Sequence, residues 1–204
     1  MELATIKSSL PEERLLISEL THRINNEFAS VVNMISFAAS RTQSIEARST
    51  LTAVMDRLED YLRVHRALQM PDTSEIVDAS AYLRELCRSI SRSKLDRRNV
   101  DLVFAEQPLW LKSEQCWLLG MIVYELVNNA ARHAFDEAGG EIRVEVAQLG
   151  GFVECHVSDD GAAPFRVRRG RGLNIIEGLA ARLHGQLEQQ FGFPGSSSRV
   201  VFPA

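Results

Sequence analysis

A polar stripe interrupts an otherwise apolar segment in the second half of the chain. Glu125 and Asn129 are four residues apart, so on a helix they share one face, with Asn128, Arg132 and His133 close by. An amide oxygen suits a hard cation such as Mg²⁺, and a guanidinium group suits phosphate. The segment indicates a magnesium-phosphate site, although a solvated helix face explains it equally well by itself.

Two glycine-containing turns follow this segment. Asp159-Asp160-Gly161 ends a predicted strand, and Gly170-Arg-Gly172 precedes a predicted helix. A Gly-x-Gly at the start of a helix lets backbone N–H groups approach a phosphate. Each turn alone is weak evidence of a site, because acidic residues and glycines are common in turns.

One histidine near the N-terminus has neighbours that suit phosphoryl transfer. His22 is two residues from both Leu20 and Ile24, about 200° round a helix, so it points away from the apolar face. Asn26 lies one turn further on, on the same face as His22. An imidazole nitrogen is a competent nucleophile toward a phosphoryl group when it is neutral. The alternative is an inert surface histidine.

The elements that carry His22 form a helical hairpin in this prediction. Apolar residues recur at spacings of three and four from near Pro11 to near Arg41, at Leu16, Leu20, Ile24, Phe28, Val31, Ile35 and Ala38. A second stretch, from Leu51 to Leu68, keeps the same period and stops before Pro71. Such a hairpin cannot bury both apolar faces alone, so we expect a second copy to complete a four-helix bundle.

The rest of the chain alternates between helical and strand patterns. We expect helices over 79–92, 113–133 and 173–183, and strands over 100–104, 141–146, 152–158, 186–190 and 199–202. The Gly150-Gly151 pair marks a hairpin between two of these strands. Helices on one side of a mixed sheet make an α+β sandwich.

Composition excludes several classes of protein. Of 204 residues, 45% are hydrophobic and 25% charged, and the net charge of −4 argues against general nucleic-acid binding. The basic run Arg84 to Arg98 is therefore interpreted as a solvated helix face. No signal peptide or membrane span is expected. The three cysteines match neither a disulfide framework nor a metal site, and we expect a cytoplasmic protein with these thiols buried.

In this order, the three polar segments resemble the GHKL ATPases, and the histidine kinases among them. The run Glu125-Leu-Val-Asn-Asn-Ala-Ala-Arg-His-Ala134 resembles the N box of that family. Asp159-Asp160-Gly161 resembles the G1 box and Gly170-Arg-Gly-Leu173 the G2 box. Gly195 to Pro203 is similar to the final loop and strand. One departure is Ala163, where the G1 box usually has a second glycine.

The run His22-Arg-Ile-Asn-Asn26 resembles the H-R-x-x-N phosphoacceptor motif of HWE-type histidine kinases. Asn25 stands where a lysine is frequent in that group, so an HWE-like subgroup is the closer description. The resemblance implies phosphorylation of His22, with Asn26 as a catalytic neighbour. The ATP-binding domain that such a motif requires follows in the same chain.

The resemblance also implies roles for the site residues. Asn129 would bind Mg²⁺, Glu125 would orient the reacting phosphate or a water, and Asp159 would accept the adenine amino group. Arg132 and His133 would face the phosphates. Further contacts with ATP would come from Asn128, Gly161, Gly170, Gly172 and Leu173.

The sequence thus predicts a homodimeric histidine kinase with two domains. Residues 1–72 would be the dimerisation and phosphoacceptor hairpin, and residues 73–204 the catalytic ATP-binding domain. His22 would pass its phosphoryl group to an aspartate of a response-regulator receiver domain. Since about ten residues precede the first helix, we expect the signal to come from a separate sensor protein, unless the kinase is constitutive or the chain is a fragment.

Three alternatives remain open at this stage. A histidine phosphotransfer protein would keep His22 and no longer use ATP, which the Ala163 departure favours. An anti-sigma-type serine kinase would share the ATP-binding fold and would not need the hairpin. A structural dimer with an inert ATP fold would neither bind nucleotide nor accept a phosphoryl group.

Overall fold

The computed structural model describes residues 9–71, 76–135, 138–162, 171–192 and 194–204, with the side chains of 9–18 and 171 left out. Ala163 and Gly170, which the sequence analysis singled out, lie outside these residues. The chain divides into two units, Met1–Leu62 and Arg63–Ala204. The predicted boundary at residue 72 stays a prediction.

The first unit contains the predicted hairpin helices. Helix α1 spans Ser9–Arg41, and helix α2 begins at Ile45 and ends at Ala67, its last turn belonging to the second unit. Ser44 is the N-cap of α2, since its Oγ accepts a hydrogen bond from the Ala47 N–H at 3.2 Å. No helix within the described ranges is long and apolar enough to cross a membrane.

The apolar face of α1 is largely exposed in the single chain. Leu20 and Ile24 expose 58% and 45% of their surface, and Phe28 and Val31 each expose 37%. Further along the helix, Met34 and Phe37 are exposed as well. A contiguous apolar stripe of this kind is unusual on a monomer and indicates an interaction surface.

The second unit is an α+β sandwich built on a mixed five-stranded sheet. Its strands are β2 (Val100–Glu106), β4 (Gly140–Leu149), β5 (Phe152–Asp159), β6 (Gln186–Gly192) and β7 (Gly195–Pro203). Their order in the sheet is β2-β4-β5-β7-β6, with β2 parallel to β4 and every other pair antiparallel. The hairpin predicted at Gly150-Gly151 is confirmed, since Leu149 pairs with Phe152.

Three helices cover one face of this sheet. They are α3 (Ala79–Ile90), α4 (Ser113–His133) and α5 (Arg171–Arg182). Alternate strand residues are buried beneath them, such as Ile142 and Val144 on β4 and Val200 and Phe202 on β7. The opposite face is polar, and there Arg199 forms a bidentate ion pair with Glu154 at 2.7 Å.

Two short strands escaped the sequence prediction. β1 (Ile76–Asp78) and β3 (Trp110–Lys112) pair antiparallel, with Val77 opposite Leu111. A run of three residues is too short for the two-residue alternation of a strand to be recognised in the sequence. β1 leads directly into α3, where the Asp78 carboxylate accepts a hydrogen bond from the Ala81 N–H at 2.9 Å and caps the helix.

The predicted burial of the cysteines is confirmed. Cys87, Cys116 and Cys155 are all buried and free. Burial raises the pKa of each thiol to about 12, so these thiols stay protonated at neutral pH and are poor nucleophiles. Across the described residues, no cluster of three or more His, Cys, Asp or Glu could hold a metal ion.

Candidate nucleotide site

The carboxylate of Asp159 stands at the C-terminal end of β5 and is held by backbone donors. Its Oδ1 accepts hydrogen bonds from the N–H groups of Gly161 at 3.1 Å and Ser196 at 3.2 Å. Burial raises the pKa of Asp159, and the hydrogen bonds from Ser196 and Gly161 oppose that rise. A half-buried carboxylate in fixed orientation is suited to accept a hydrogen bond from a ligand.

Close backbone contacts surround Asp159. A Cβ atom added to Gly161 would lie 2.2 Å from the carbonyl oxygen of Ala134, at the end of α4. A Cβ atom added to Gly195 would lie 1.8 Å from the carbonyl oxygen of Asp159 itself. Only glycine allows the strand ends and the helix end to approach so closely.

Asp160, the neighbour of Asp159, is engaged with the sheet instead. Its Oδ1 accepts a hydrogen bond from the Glu141 N–H at 2.8 Å, and its own N–H donates to the Glu141 carbonyl oxygen at 3.2 Å. This double contact ties the turn after β5 to the start of β4. The two adjacent aspartates therefore have different environments: Asp159 is half-buried among the strand ends, whereas Asp160 is exposed and tied to β4.

Glu125 and Asn129 on α4 face the first turn of α5. A Cβ atom added to Gly172 would lie 3.2 Å from Asn129 Oδ1 and 3.5 Å from Glu125 Oε2. The predicted N-box and G2-box segments therefore meet at this point. Asn129 and Ala134 are five residues apart, so about 7.5 Å of helix separates this point from the Asp159 turn.

These oxygens fit the requirements of a magnesium ion. An amide oxygen and a carboxylate oxygen lie within 3.5 Å of the same point, which is the position a Gly172 Cβ would fill. Mg²⁺ prefers hard oxygen ligands, and it commonly takes one or two from the protein and the rest from phosphates and water. The residue types present therefore fit Mg²⁺, and the predicted role of Asn129 as its ligand stays a prediction.

Asn128 has a different environment from its neighbour Asn129. It is buried, and its Oδ1 accepts a hydrogen bond from Lys94 Nζ at 2.6 Å. Lys94 also donates to the Tyr124 hydroxyl at 3.2 Å and lies 4.8 Å from the centre of the Tyr124 ring. The predicted contact between Asn128 and ATP stays a prediction, whereas its bond with Lys94 is a structural feature that the sequence analysis missed.

Three members of the basic run, interpreted above as a solvated face, also contact neighbouring elements of the fold. Lys94 binds α4, and Arg98 donates to the carbonyl oxygens of Ala131 and Phe135 at the end of α4. Arg84 forms an ion pair with Glu106. The segment 91–98 is a π-helical turn followed by a 3₁₀ turn, so the simple helical stripe assumed from the sequence does not continue.

The remaining predicted residues lie at the margins of the site. Arg132 and His133 are exposed in the last turn of α4, and Leu173 is half-buried in the first turn of α5. Their predicted contacts with phosphate and nucleotide stay predictions. Ser196 was missed, although the Gly195-Ser196 pair before a strand is a recognisable signal for a turn that exposes backbone N–H groups.

In the first unit, His22 is exposed on α1 and lies beside Asn26. The distance between Asn26 Nδ2 and His22 Nδ1 is 3.2 Å. One turn earlier, Glu19 accepts a hydrogen bond from Arg23 Nε at 2.8 Å. The expectation that His22 points away from the apolar face and shares a face with Asn26 is consistent with this geometry.

Comparison with known proteins agrees with these observations. A family model described as histidine kinase matches residues 19–94, and one described as histidine kinase-like ATPase domain matches residues 80–190, more than half of the chain. This chain belongs to the histidine kinase family. The resemblance drawn from the phosphoacceptor and nucleotide motifs is thereby confirmed at the level of the family.

Relatives of this histidine kinase chain include two sensor proteins. The sensor histidine kinase PdtaS of Mycobacterium tuberculosis is 29% identical over 184 residues, which are 84% of this chain and 36% of the relative. Blue-light-activated histidine kinase 2 of Erythrobacter litoralis is 26% identical over 203 residues, which are 92% of this chain and 56% of the relative. The chain thus spans about a third to about half the length of these relatives.

A solved structure shares the fold. The histidine kinase domain of the Erythrobacter litoralis EL346 blue-light activated histidine kinase superimposes with a TM-score of 0.63 at 22% identity, covering 95% of each chain. That likeness confirms the predicted architecture of two N-terminal helices followed by an α+β sandwich.

Proposed function

We propose that this chain is an ATP-dependent protein-histidine kinase that phosphorylates its own His22 and passes the phosphoryl group to a response-regulator aspartate. The observation that carries the proposal is the meeting of Gly172 with Asn129 and Glu125, about one and a half turns of α4 from the Asp159 turn. One domain thus holds a base-binding carboxylate and a phosphate-binding end. The same chain carries an exposed His22 hydrogen-bonded to Asn26.

Asp159 would recognise adenine through its exocyclic amino group. Its Oδ1 is occupied by the N–H groups of Gly161 and Ser196, which fixes the plane of the carboxylate. Fixing a polar group before the ligand arrives lowers the entropy cost of binding. The carboxylate must be ionised to accept two donors and the adenine amino group together, so binding would weaken when Asp159 is protonated.

The phosphates would lie between α4 and the first turn of α5. Asn129 would hold Mg²⁺ there, which when bound would neutralise charge on the transferring phosphoryl group. Glu125, 3.5 Å from the same point, would orient water or a metal ligand. The backbone N–H groups at the start of α5 and the exposed Arg132 and His133 would meet the remaining phosphate charge.

Asn26 would keep the nucleophilic nitrogen of His22 free. The Asn26 amide can offer Nδ1 of His22 either its NH₂ group or its oxygen. With the oxygen turned toward Nδ1, the ring proton stays on Nδ1 and Nε2 keeps its lone pair. A bond then forms between Nε2 and the γ-phosphorus as the bond to the β–γ bridging oxygen breaks, and ADP leaves.

The exposed stripe on α1 supports a homodimer. Leu20, Ile24, Phe28 and Val31 would be covered by the hairpin of a second copy. A receiver domain would dock on the hairpin near His22 and take the phosphoryl group onto an aspartate oxygen.

The decisive test is incubation with Mg²⁺ and γ-labelled ATP, using wild type, His22→Ala and Asn129→Ala. We expect acid-labile, base-stable label on the wild type only, and Asn129→Ala should also lose ATP binding in calorimetry. Label that survives acid would indicate serine phosphorylation and overturn the proposal. Absence of label on a protein that accepts a phosphoryl group from a phosphorylated receiver would identify a phosphotransfer protein instead.

A further inference from the structure

An open groove lies between α3 and strand β2, at the free edge of the sheet. Strand β2 is the edge strand, and within the described residues it pairs only with β4. The N–H and C=O groups along its other edge are therefore available to a further strand. Edge strands usually carry charged residues, above all lysine, or a proline or a bulge that discourages pairing. Val100–Glu106 contains no lysine or proline, and of its two carboxylates Asp101 alternates with Leu102 and so points away from α3.

The helix wall of the groove is basic. Arg84, Cys87, Arg88 and Ser91 recur at spacings of three and four, so they form one face of α3 and the turn that follows. Arg88 is exposed, and in the described part of the chain no carboxylate pairs with it. Arg92, in the π-helical turn that follows α3, is exposed as well but does not line the groove.

The strand wall of the groove is apolar and ends at Glu106, whose negative charge is neutralised by Arg84. Leu102, Phe104 and Glu106 alternate along β2, so they point to the same face of the sheet as α3. Glu106 accepts hydrogen bonds from Arg84 Nε at 3.0 and 3.1 Å, which closes that end of the groove. The groove between the two walls has a volume of about 310 Å³.

We propose that this groove binds an extended acidic peptide segment of a partner protein, which adds to the sheet as a strand beside β2. Its backbone would pair with the free edge, and alternate side chains would enter the groove between Leu102, Phe104 and α3. The carboxylates of the peptide would be the side chains on the α3 side, where one would meet Arg88, because successive residues of a strand face opposite sides of the sheet.

Charge favours an acidic peptide in this groove over a second copy of the chain or a nucleic acid. If two copies paired edge to edge through β2, the arginine stripes of both α3 helices would meet at the seam, and like charges would oppose the contact. A nucleic acid would suit the arginines but cannot use the free backbone edge of β2, and the chain as a whole carries a net charge of −4. An acidic strand uses both the edge and the arginines.

The probe is a fluorescein-labelled peptide in which valine and glutamate alternate, titrated against the full chain and followed by fluorescence anisotropy. We expect saturable binding that Arg88→Glu weakens at least about tenfold. Arg97→Glu is the matched control, because Arg97 is exposed and does not line the groove. Equal losses in the two variants would indicate bulk electrostatics and overturn the proposal.

Two N-methylated forms of the peptide test strand addition, one for each alternate set of backbone nitrogens. Only one set can donate to β2, so we expect one form to lose binding and the other to retain it. Retention by both forms, or tighter binding of single-stranded RNA that Arg88→Glu also weakens, would overturn the proposal. Hydrogen exchange should slow at amides of Val100–Glu106 when the peptide is bound.

Circular dichroism melting of Arg88→Glu shows whether this variant is folded, and ATP labelling of His22 should be unchanged in it. The proposal does not rest on kinase activity. A chain that binds the peptide without labelling His22 would contradict only the kinase proposal, and a chain that labels His22 without binding the peptide would contradict only this one.

Discussion

At the scale of the residue, glycines decide how closely the backbone approaches the site. A side chain at Gly161 would collide with the backbone of Ala134 at the end of α4, and one at Gly172 would enter the space in front of Asn129 and Glu125. Gly178 offers a contrast, since a Cβ atom added there would meet nothing within 4 Å. The same residue type is thus essential at two positions and dispensable at a third.

Gly161→Ala is expected to abolish measurable ATP binding and to destabilise the fold by about 1–3 kcal/mol, because the new methyl group would lie 2.2 Å from a backbone carbonyl oxygen. Gly178→Ala, the control in α5, should stabilise the protein by about 0.5–1 kcal/mol, because alanine favours helix. Calorimetric titration with ATP and urea unfolding measure both effects. Undiminished ATP affinity in Gly161→Ala would contradict the assignment of this turn to the site.

Asp159 should give the protein a pH dependence that Asp159→Asn lacks. Burial raises the pKa of Asp159 above its ordinary 3.8. At a pH between 3.8 and this raised pKa, the native state therefore binds more protons than the unfolded state. The contribution of this group to stability is therefore present below pH 3.8 and is lost as pH rises through the raised value. The asparagine variant keeps an oxygen for the Gly161 and Ser196 donors and does not titrate.

Urea unfolding of both proteins from about pH 3.5 to pH 7 measures this dependence, which follows from linkage. The stability of Asp159→Asn minus that of the wild type should increase as pH rises through the window above 3.8. A difference that does not change with pH would show that burial of the carboxylate has no effect. Below the window the two proteins should differ least.

At the scale of the element, α4 is held in place by the turn segment that follows α3. Lys94 binds Asn128 and Tyr124 on one turn of α4, and Arg98 binds carbonyl oxygens at its C-terminal end. Free carbonyl groups at a helix C-terminus carry partial negative charge, so a guanidinium group there is favourable. These contacts orient the helix that presents Glu125 and Asn129.

Lys94→Ala should lower the free energy of unfolding by about 1–3 kcal/mol, because it leaves the buried Asn128 oxygen without its donor. Arg97→Ala, an exposed neighbour in the same segment, should change stability by no more than about 0.5 kcal/mol. Urea unfolding midpoints measure the pair. Equal midpoints for the two variants would mean that Lys94 does not hold α4.

At the scale of the whole molecule, the first unit presents more apolar surface than one chain can cover. Its exposed stripe on α1 runs along most of the helix, from Leu20 to Phe37. In water such a stripe is stabilised by association, since about 25 cal/mol is gained for each Å² of apolar surface buried. The expected outcome is a dimer through the hairpin.

Ile24→Glu should convert that dimer to monomer, because it would bury a carboxylate in the seam without a partner. Asn33→Glu adds the same charge at an exposed polar position of α1, nine residues and so about half a turn round the helix from Ile24, and should leave the dimer intact. Sedimentation velocity over a range of concentrations distinguishes the two. A monomeric wild-type protein would refute the bundle.

What could be read directly from the sequence was local. The periods of α1 and α2, the exact span of α4, the β4–β5 hairpin and the order of the nucleotide motifs all depend on neighbours a few residues apart. Those features follow from the 3.6-residue and two-residue repeats of helix and strand. Family membership followed from the same local runs, since His22 to Asn26 and Glu125 to Ala134 are each continuous in the chain.

Only the tertiary structure decided which groups meet across long separations. Lys94 reaches Asn128, 34 residues away, and the Ser196 N–H reaches Asp159, 37 residues away. Two adjacent asparagines and two adjacent aspartates received different environments, because successive residues on a helix or at a strand end face different neighbours. The sequence around Lys94 is the same whether this side chain is solvated or packed against α4. The packing of α3 and α4 over the sheet is what places Lys94 against α4.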